Sequence, residues 1–248
     1  MQRVSGTPTA ADTVPASRAS AMDAVTVAPS ILSADFARLR DELSPLLDAG
    51  VRVVHIDVMD GHFVPPITIG PVVVERLAAP VHRHGACLDV HLMVERPERQ
   101  LEAFARAGAD AVTLHIESTP HPHYALREAR RLGLRAGIAL NPGTPAEAVR
   151  DLVEECEHVL CMTVNPGWSG QRFIAAMLAK IARLRELVPD GVPIQVDGGI
   201  DATTGAQCRA AGATLFVAAS AIFGERDRVA AWRRISAAVE QATAPPGR

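Results

Sequence analysis

A histidine and an aspartate two residues apart mark the segment HIDVMDGHFVP, residues 55–65. The apolar, β-branched run VRVVHIDV predicts a buried strand, and side chains two apart on a strand point to the same face. His55 and Asp57 therefore share a face. Gly61 and Pro65–Pro66 predict a loop directly afterwards, so we expect both polar groups at the carboxyl end of the strand. Ligands bind at that end of parallel sheets.

Polar side chains also finish the other predicted strands. They are Ser30, His91, His115, Glu117, Asn141, Asn165, Asp197 and Ser220. If the strands are parallel, two histidines and two aspartates among these strand-end residues converge on one rim. Uncompensated carboxylates there would be costly, and one divalent transition metal per chain (Zn, Fe, Mn or Co) would remove that cost. The alternative is that Asp57 and Asp197 only accept hydrogen bonds from loop amides.

Short β-branched runs alternate with amphipathic segments from Val25 onward, which indicates repeated βα units and a parallel sheet. Eight strands are predicted, at 25–30, 51–58, 86–92, 111–116, 135–140, 158–164, 192–197 and 214–218. Helices are predicted at 35–48, 70–84, 97–107, 122–132, 145–155, 172–187, 202–211 and 226–242. Eight right-handed crossovers close into a single α/β domain, a (β/α)8 TIM barrel. An open doubly wound sheet is the alternative, but no G-x-G-x-x-G follows the first strand.

Length and composition set wider limits. A chain of 248 residues fits one barrel domain at 22–248, and the Ala-, Ser-, Thr- and Pro-rich residues 1–21 predict a disordered tail. A net charge of −3 without basic runs argues against nucleic-acid binding, and no apolar stretch suits a membrane span. The four cysteines lack metal or disulfide spacing, which predicts buried thiols and a cytoplasmic protein. They are Cys87, Cys156, Cys161 and Cys208.

Small-residue turns follow the last three predicted strands. Their sequences are NPGWSGQ at 165–171, DGGI at 197–200 and ASA at 219–221. In TIM barrels the loops after strands seven and eight recurrently form a phosphate site, because glycine lets backbone N–H groups approach the oxygens. The three turns therefore predict a phosphate cradle that needs no Lys or Arg.

From about Val25 to Gln241 the chain resembles the ribulose-phosphate 3-epimerase family. The matching motifs are APSILSADF, HIDVMDGHFVP, DVHLMV, LNPGTP, MTVNPGWSGQ and VDGGI, followed by ASAIF. The resemblance implies that His55, Asp57, His91 and Asp197 bind the metal, with Asp57 and Asp197 also transferring protons. It implies sugar contacts from Ser30 and His91. The implied phosphate-binding residues are Gly167, Trp168, Ser169, Gly170, Gly198, Gly199, Ala219 and Ser220.

The chain departs from the usual family pattern at a few positions. Trp168-Ser169 stands where the family has Phe-Gly, Ala219 stands where it has Gly, and Pro66 stands where it has Asn. Backbone donors survive the changes in the turns, so phosphate binding is still expected. Met59, Met93 and Met162 lie in register with the inward side of their strands and are expected to shield the substrate, although Met is also a common gap-filler in cores.

The resemblance implies inversion at C3 of a ketose phosphate, with one base on each face of the sugar. The expected reaction interconverts D-ribulose 5-phosphate and D-xylulose 5-phosphate, in a homo-oligomeric enzyme of the pentose phosphate pathway or Calvin cycle. D-Allulose-6-phosphate 3-epimerase is one alternative. Two others remain, a phosphate-binding barrel lyase or synthase without the metal set, and a non-catalytic sugar-phosphate sensor.

Overall fold

A computed structural model describes Arg18 and residues 20–243. Within this part of the chain, eight parallel strands form one sheet in the order β1-β8-β7-β6-β5-β4-β3-β2. A parallel bridge between Ser30 and His55 joins the two outer strands and closes the barrel. The strands are β1 Thr26–Pro29, β2 Val53–Met59, β3 Cys87–Met93, β4 Ala111–His115, β5 Arg135–Leu140, β6 His158–Met162, β7 Ile194–Asp197 and β8 Leu215–Ala218. The predicted TIM barrel is confirmed.

Helices cover the outside of the barrel. Among the described residues they are α1 Leu39–Asp48, α2 Pro71–Arg83, α3 Leu101–Arg106, α4 Pro122–Arg131, α5 Met177–Leu187, α6 Ala202–Ala210, α7 Ser220–Phe223 and α8 Arg228–Gln241. Their apolar faces join the outward-facing strand residues in one large core, as a parallel sheet requires. None of these helices has the length and apolar character needed to cross a membrane.

The helix predicted at 145–155 is wrong in type. Two 3-10 helices, Ala146–Val149 and Val153–Glu155, occupy this segment. Its buried residues are Ala146, Val149, Leu152 and Val153, a spacing that an α-helix would also show, so the apolar pattern does not distinguish the two types of helix. The helix predicted at 172–187 begins only at Met177, so residues 172–176 belong to the loop after β6.

The bottom of the barrel is closed by the chain that precedes β1. Ser20–Met22 form a 3-10 helix, and the Met22 side chain is 1% exposed. It packs inside the strand ring against Ala28, Val53, Cys87, Ala111 and Leu215. Arg18 pairs with Asp110 at 3.2 Å. The structure therefore describes residues 18, 20 and 21, which were predicted to belong to the disordered tail. Residues 1–17 and 19 of that tail lie outside the described residues.

Above this apolar layer the barrel interior is polar. The fully buried Asp89 accepts hydrogen bonds from Gln195 Nε2 at 2.6 Å and from His55 Nδ1 at 2.7 Å. On the other side, Thr113 Oγ1 lies 2.6 Å from His158 Nε2. These bonds fix the side chains directly beneath the upper mouth of the barrel, and buried polar groups need such partners.

Candidate active site

Four side chains meet at the carboxyl ends of β2, β3 and β7. Each side chain offers one nitrogen or oxygen atom as a possible metal ligand, and these four atoms all lie within 4.8 Å of one another. The cluster could therefore hold a metal ion. Its members are His55, Asp57, His91 and Asp197. The first three are at most 3% exposed, and the Asp197 side chain is 16% exposed. The convergence expected from the strand pattern is therefore present.

The charges of the cluster favour a cation at its centre. Burial alone would lower the pKa of His55, but the carboxylates of Asp57 and Asp89 raise it well above the usual value. Burial likewise opposes the ionisation of Asp57, and the His55 and His91 rings outweigh it and lower the pKa of that carboxyl. The site thus demands positive charge beside its carboxylates, which a divalent cation supplies.

The orientation of His55 fits a metal ligand. Asp89 accepts from Nδ1 of this ring at 2.7 Å, so a ring that gives up one proton to a metal keeps the other proton on Nδ1. Nε2 is buried and has no hydrogen-bond partner among the described residues, and it lies 3.4 Å from Asp57 Oδ1. A carboxylate that holds the far nitrogen of a histidine is the usual support of a metal-binding imidazole. An unpaired buried nitrogen is otherwise costly.

One oxygen of the Asp57 carboxylate, Oδ2, is held by a hydrogen bond. Ser30 Oγ donates to Asp57 Oδ2 at 2.5 Å, while Leu32 N donates to the same hydroxyl at 3.2 Å. The bond leaves Asp57 Oδ1 turned toward the two histidines, 3.2 Å from His91 Nδ1. Neither Ser30 nor His91 lines the cavity above, so their expected sugar contacts stay a prediction.

A cavity of about 550 Å³ opens directly above the cluster. Asp57 and Asp197 reach its surface, as do the three expected methionines, Met59, Met93 and Met162. Each methionine is 2–3% exposed. The methionine side chains therefore form an apolar, largely dry wall beside the carboxylates, as the strand register predicted, although their shielding role stays a prediction.

The three glycine-rich turns line the same cavity. All eight expected phosphate-binding positions belong to these turns, and all eight border the cavity: Gly167, Trp168, Ser169, Gly170, Gly198, Gly199, Ala219 and Ser220. A Cβ at Gly198 would come within 2.3 Å of Val164, and one at Gly199 within 2.7 Å of the Phe173 nitrogen. The loop after β7 can therefore lie against the loop after β6 only because positions 198 and 199 carry no side chain.

The structure accounts for two departures from the family pattern. Ala219 has a negative φ of −107°, so the left-handed conformation that favours glycine is not required there. Ser169 bonds across the mouth to Ser33, with 2.5 Å between the hydroxyl oxygens. Trp168 is 57% exposed at the cavity rim. We find no structural reason for Pro66.

Two groups in the site went unnoticed in the sequence. Arg172 is exposed and lines the cavity beside the glycine turns, although the predicted cradle needed no Lys or Arg. It follows Gln171 in a segment assigned to a helix, and only the later start of α5 brings it to the mouth. Asp201, which caps α6 by accepting from Thr203 N at 2.8 Å, adds a carboxylate to the cavity wall.

His115 and Glu117 complete the site on the side of β4. His115 is fully buried, and burial lowers the pKa of its imidazole to about 4, so the ring is neutral at neutral pH. Burial opposes ionisation of Glu117, but the hydrogen bonds from His115, Thr144 and the Asn141 N–H lower the pKa of this carboxyl. The sequence placed both residues at a strand end without indicating their partners.

Residues 26–223 match the model of the ribulose-phosphate 3-epimerase family. The chain belongs to this family. It is 46% identical over 208 residues to ribulose-phosphate 3-epimerase of Bacillus subtilis, and the match covers 82% of this chain and 94% of that protein. Its identity to the Rhodobacter capsulatus enzyme of the same name is 45%, with 80% and 86% covered. For the chloroplastic Arabidopsis thaliana enzyme the identity is 44%, with 86% and 76% covered.

More distant barrels share the architecture. One is 3-hexulose-6-phosphate synthase of Salmonella typhimurium, with a TM-score of 0.67 and 15% identity over 88% of this chain and all of that one. Another is thiamine phosphate pyrophosphorylase of Pyrococcus furiosus, with a TM-score of 0.63 and 16% identity over 90% and 98% of the two chains. At such identities the likeness shows only the fold.

Proposed function

We propose that this protein interconverts D-ribulose 5-phosphate and D-xylulose 5-phosphate by inverting C3, in the pentose phosphate pathway or Calvin cycle. The carrying observation is a cluster of two histidines and two aspartates at the floor of a cavity rimmed by glycine turns. The epimerase names of relatives at 44–46% identity support the same reaction.

The two aspartates act as the proton-transfer groups. Inversion requires one base to remove the C3 proton on one face of the sugar and an acid to return a proton on the other face. Asp57 and Asp197 lie on strands β2 and β7, which are not neighbours in the sheet, and both carboxylates reach the cavity. A substrate lying across the mouth therefore meets one carboxylate on each side.

The metal would be held by His55 Nε2, His91 Nδ1 and one oxygen each of Asp57 and Asp197. A divalent cation held there would supply positive charge beside the C2 carbonyl and would offset the negative charge that develops when the C3 proton leaves. Zn, Fe, Mn and Co all suit this ligand set. Met59, Met93 and Met162 keep water from the reacting carbons, and the turns after β6, β7 and β8 hold the phosphate.

D-Allulose 6-phosphate is the second candidate substrate, since it also inverts at C3 but carries one more carbon before the phosphate. The cluster and the glycine turns belong to one rigid barrel, so the distance between them selects the chain length. Trp168 and Ala219, both on the cavity wall, replace less bulky family residues and leave no added room. One misplaced carbon changes the free energy of transition-state binding by about 1–3 kcal/mol. We therefore expect kcat/KM to be at least roughly tenfold higher for the pentose phosphate.

We further propose a cytoplasmic homo-oligomer. Cys87, Cys156, Cys161 and Cys208 are free and buried, which suits a reducing compartment. Light scattering of the purified protein measures the assembly, and a monomeric mass would contradict it.

Kinetics on one preparation test the proposal. Protein loaded in turn with Zn, Mn, Fe or Co is assayed with both sugar phosphates, alongside protein stripped by a chelator. We expect the higher kcat/KM for D-ribulose 5-phosphate, and loss of activity without loss of fold after stripping. A higher value for D-allulose 6-phosphate would overturn the substrate assignment. Full activity of metal-free protein would overturn the metal requirement.

A further inference from the structure

A chain of hydrogen bonds leads from the candidate metal ligands to the side of β4. His91 Nε2 lies 2.8 Å from His115 Nε2, and the two ring centroids are 5.0 Å apart with planes 21° from parallel. The next contact joins His115 Nδ1 to Glu117 Oε2 at 3.3 Å. The proposed reaction has so far assigned no role to His115 or Glu117.

The direction of donation along this chain of hydrogen bonds is set at its Glu117 end. Glu117 Oε1 accepts from the Asn141 N–H at 2.8 Å and from the Thr144 hydroxyl. Since a carboxylate only accepts hydrogen bonds, Oε2 requires the proton of the neutral His115 ring to sit on Nδ1. His115 Nε2 then carries a lone pair and accepts from the His91 Nε2–H.

The consequence for His91 is a single allowed tautomer. With its proton on Nε2, the neutral His91 ring turns the Nδ1 lone pair toward Asp57 Oδ1 at 3.2 Å and Asp197 Oδ2 at 3.6 Å. A lone pair facing two carboxylate oxygens is repulsive unless a proton or a metal cation lies among them. The arrangement therefore makes Nδ1, and not Nε2, the nitrogen of His91 that is available to a metal.

We propose that Glu117 and His115 are positioning residues that fix the tautomer of His91 and thereby raise the affinity of the site for its metal. The inference rests on the proposed metal-dependent function. It also assigns different nitrogens to the two histidine ligands, because Asp89 leaves Nε2 of His55 free whereas His115 leaves Nδ1 of His91 free. Supporting partners of this kind fix ring orientation and ligand basicity.

The surroundings of Glu117 keep the chain rigid. Lys180 Nζ donates to the carbonyls of Asn141, Pro142 and Thr144 at 2.6–2.9 Å, so α5 holds the loop that carries both donors to Glu117. The Phe63 ring packs on His115 with centroids 4.8 Å apart and shields it from water. The Glu117 side chain itself is only 23% exposed.

Glu117→Gln tests the proposal without a large change in shape. The two donors that face Oε1 keep the oxygen of the new amide on their side, which turns its NH₂ group toward His115 Nδ1 and reverses the chain. Nitrogen-15 NMR of labelled histidines in the zinc-loaded and the metal-free protein reports the protonated nitrogen of His115. We expect Nδ1–H in the native protein and Nε2–H in the variant. Competition with a zinc chelator should show a roughly 10- to 100-fold lower zinc affinity for the variant.

Glu128→Gln is the matched control, because it makes the same chemical change at a carboxylate of α4 whose hydrogen bonds are to Arg131. It should leave the His115 tautomer and zinc affinity at native values, and melting curves should show both variants folded. A native His115 protonated on Nε2 would overturn the proposal. So would a Glu117→Gln variant with native zinc affinity, or one that loses affinity while keeping the native tautomer. Absence of epimerase activity would refute only the proposed reaction, since neither readout uses the sugar.

Discussion

Single side chains decide the chemistry of this site, and Asp57 and Asp197 carry most of it. Asp57 is oriented by the Ser30 hydroxyl, whereas the backbone carbonyl of Asp197 accepts from the Thr163 hydroxyl at 2.8 Å. The two residues lie on different strands and each has one partner of its own, while both carboxylates also face His91 Nδ1, at 3.2 and 3.6 Å. Anchoring on two separate strands is what two proton-transfer groups on opposite faces of one substrate require.

Asp57→Asn and Asp197→Asn should each lower kcat by about 10²-fold or more, because an amide cannot accept the C3 proton. The two variants should differ in solvent exchange, since each retains the base for one epimer only. Each variant is incubated in D₂O with each sugar phosphate, and deuterium at C3 is followed by NMR. Metal content is measured in parallel, because each aspartate is also a ligand. Normal turnover by either variant would refute the two-base assignment.

Arg172 places a cation at the mouth of the cavity. Its exposed guanidinium should attract the phosphate without entering the chemical step, so Arg172→Gln should raise KM about two- to fivefold at low salt and leave kcat unchanged. The difference should shrink as salt screens the charge. Arg233→Gln, at an exposed position of α8, is the control. A fall in kcat with unchanged KM would contradict this role.

At the scale of elements, the strands were predictable because most are short, largely apolar runs of the right length between amphipathic segments. All eight predicted strands appear, within a few residues of their expected ends. The type of helix at 145–155 was not predictable from Thr144-Pro145, because the same start signal precedes a 3-10 helix. The mouth position of Arg172 followed from the late start of α5, which depends on the packing of the loop rather than on propensity.

Residue-to-residue contacts in the site were less predictable than the elements. Strand patterns placed His91, His115 and Glu117 at strand ends, but their hydrogen bonds depend on the stagger between β3 and β4, where His91 pairs with Thr113. Periodicity carries no information on that stagger. Which nitrogen of a histidine carries the proton depends, in addition, on the other hydrogen bonds of the residue that the histidine contacts. The Glu117 contacts to His115 and to the Asn141 N–H show this.

The strand β6 carries a histidine in the barrel interior that should make stability depend on pH. Burial lowers the pKa of His158 to about 4 against an ordinary 6.5, and Asp89, whose charge raises it, does not offset this. The folded ring stays neutral while the unfolded ring binds a proton, so stability is full above pH 6.5 and falls as pH drops toward 4. The difference is worth at most about 3 kcal/mol.

Urea titrations of metal-free protein between pH 7.5 and about 4.5 measure this effect. His158→Gln, which can still accept a bond from Thr113, should lose less stability on acidification than the native chain. Identical pH profiles for the two proteins would show that His158 is not the titrating group.

For the whole molecule, one side chain closes the lower end of the barrel. Met22→Ala should lower the free energy of unfolding by about 2–5 kcal/mol, because it leaves a cavity among Ala28, Val53, Cys87, Ala111 and Leu215. Met22→Leu keeps most of the volume and should cost less than about 1.5 kcal/mol. Chemical denaturation of the three proteins measures these free energies of unfolding. Equal stability of the Met22→Ala variant and the native protein would contradict the role of Met22 in closing the barrel. The sequence placed the ordered boundary near this residue but could not show that it fills the barrel.

The central claim is inversion of C3 by two groups that exchange their protons with solvent. Its most direct test is proton NMR of D-ribulose 5-phosphate in D₂O with the metal-loaded native protein. We predict that D-xylulose 5-phosphate appears with deuterium at C3, and that chelated protein gives neither product nor exchange. Absence of D-xylulose 5-phosphate, or product that keeps its original C3 proton through complete conversion, would contradict the account.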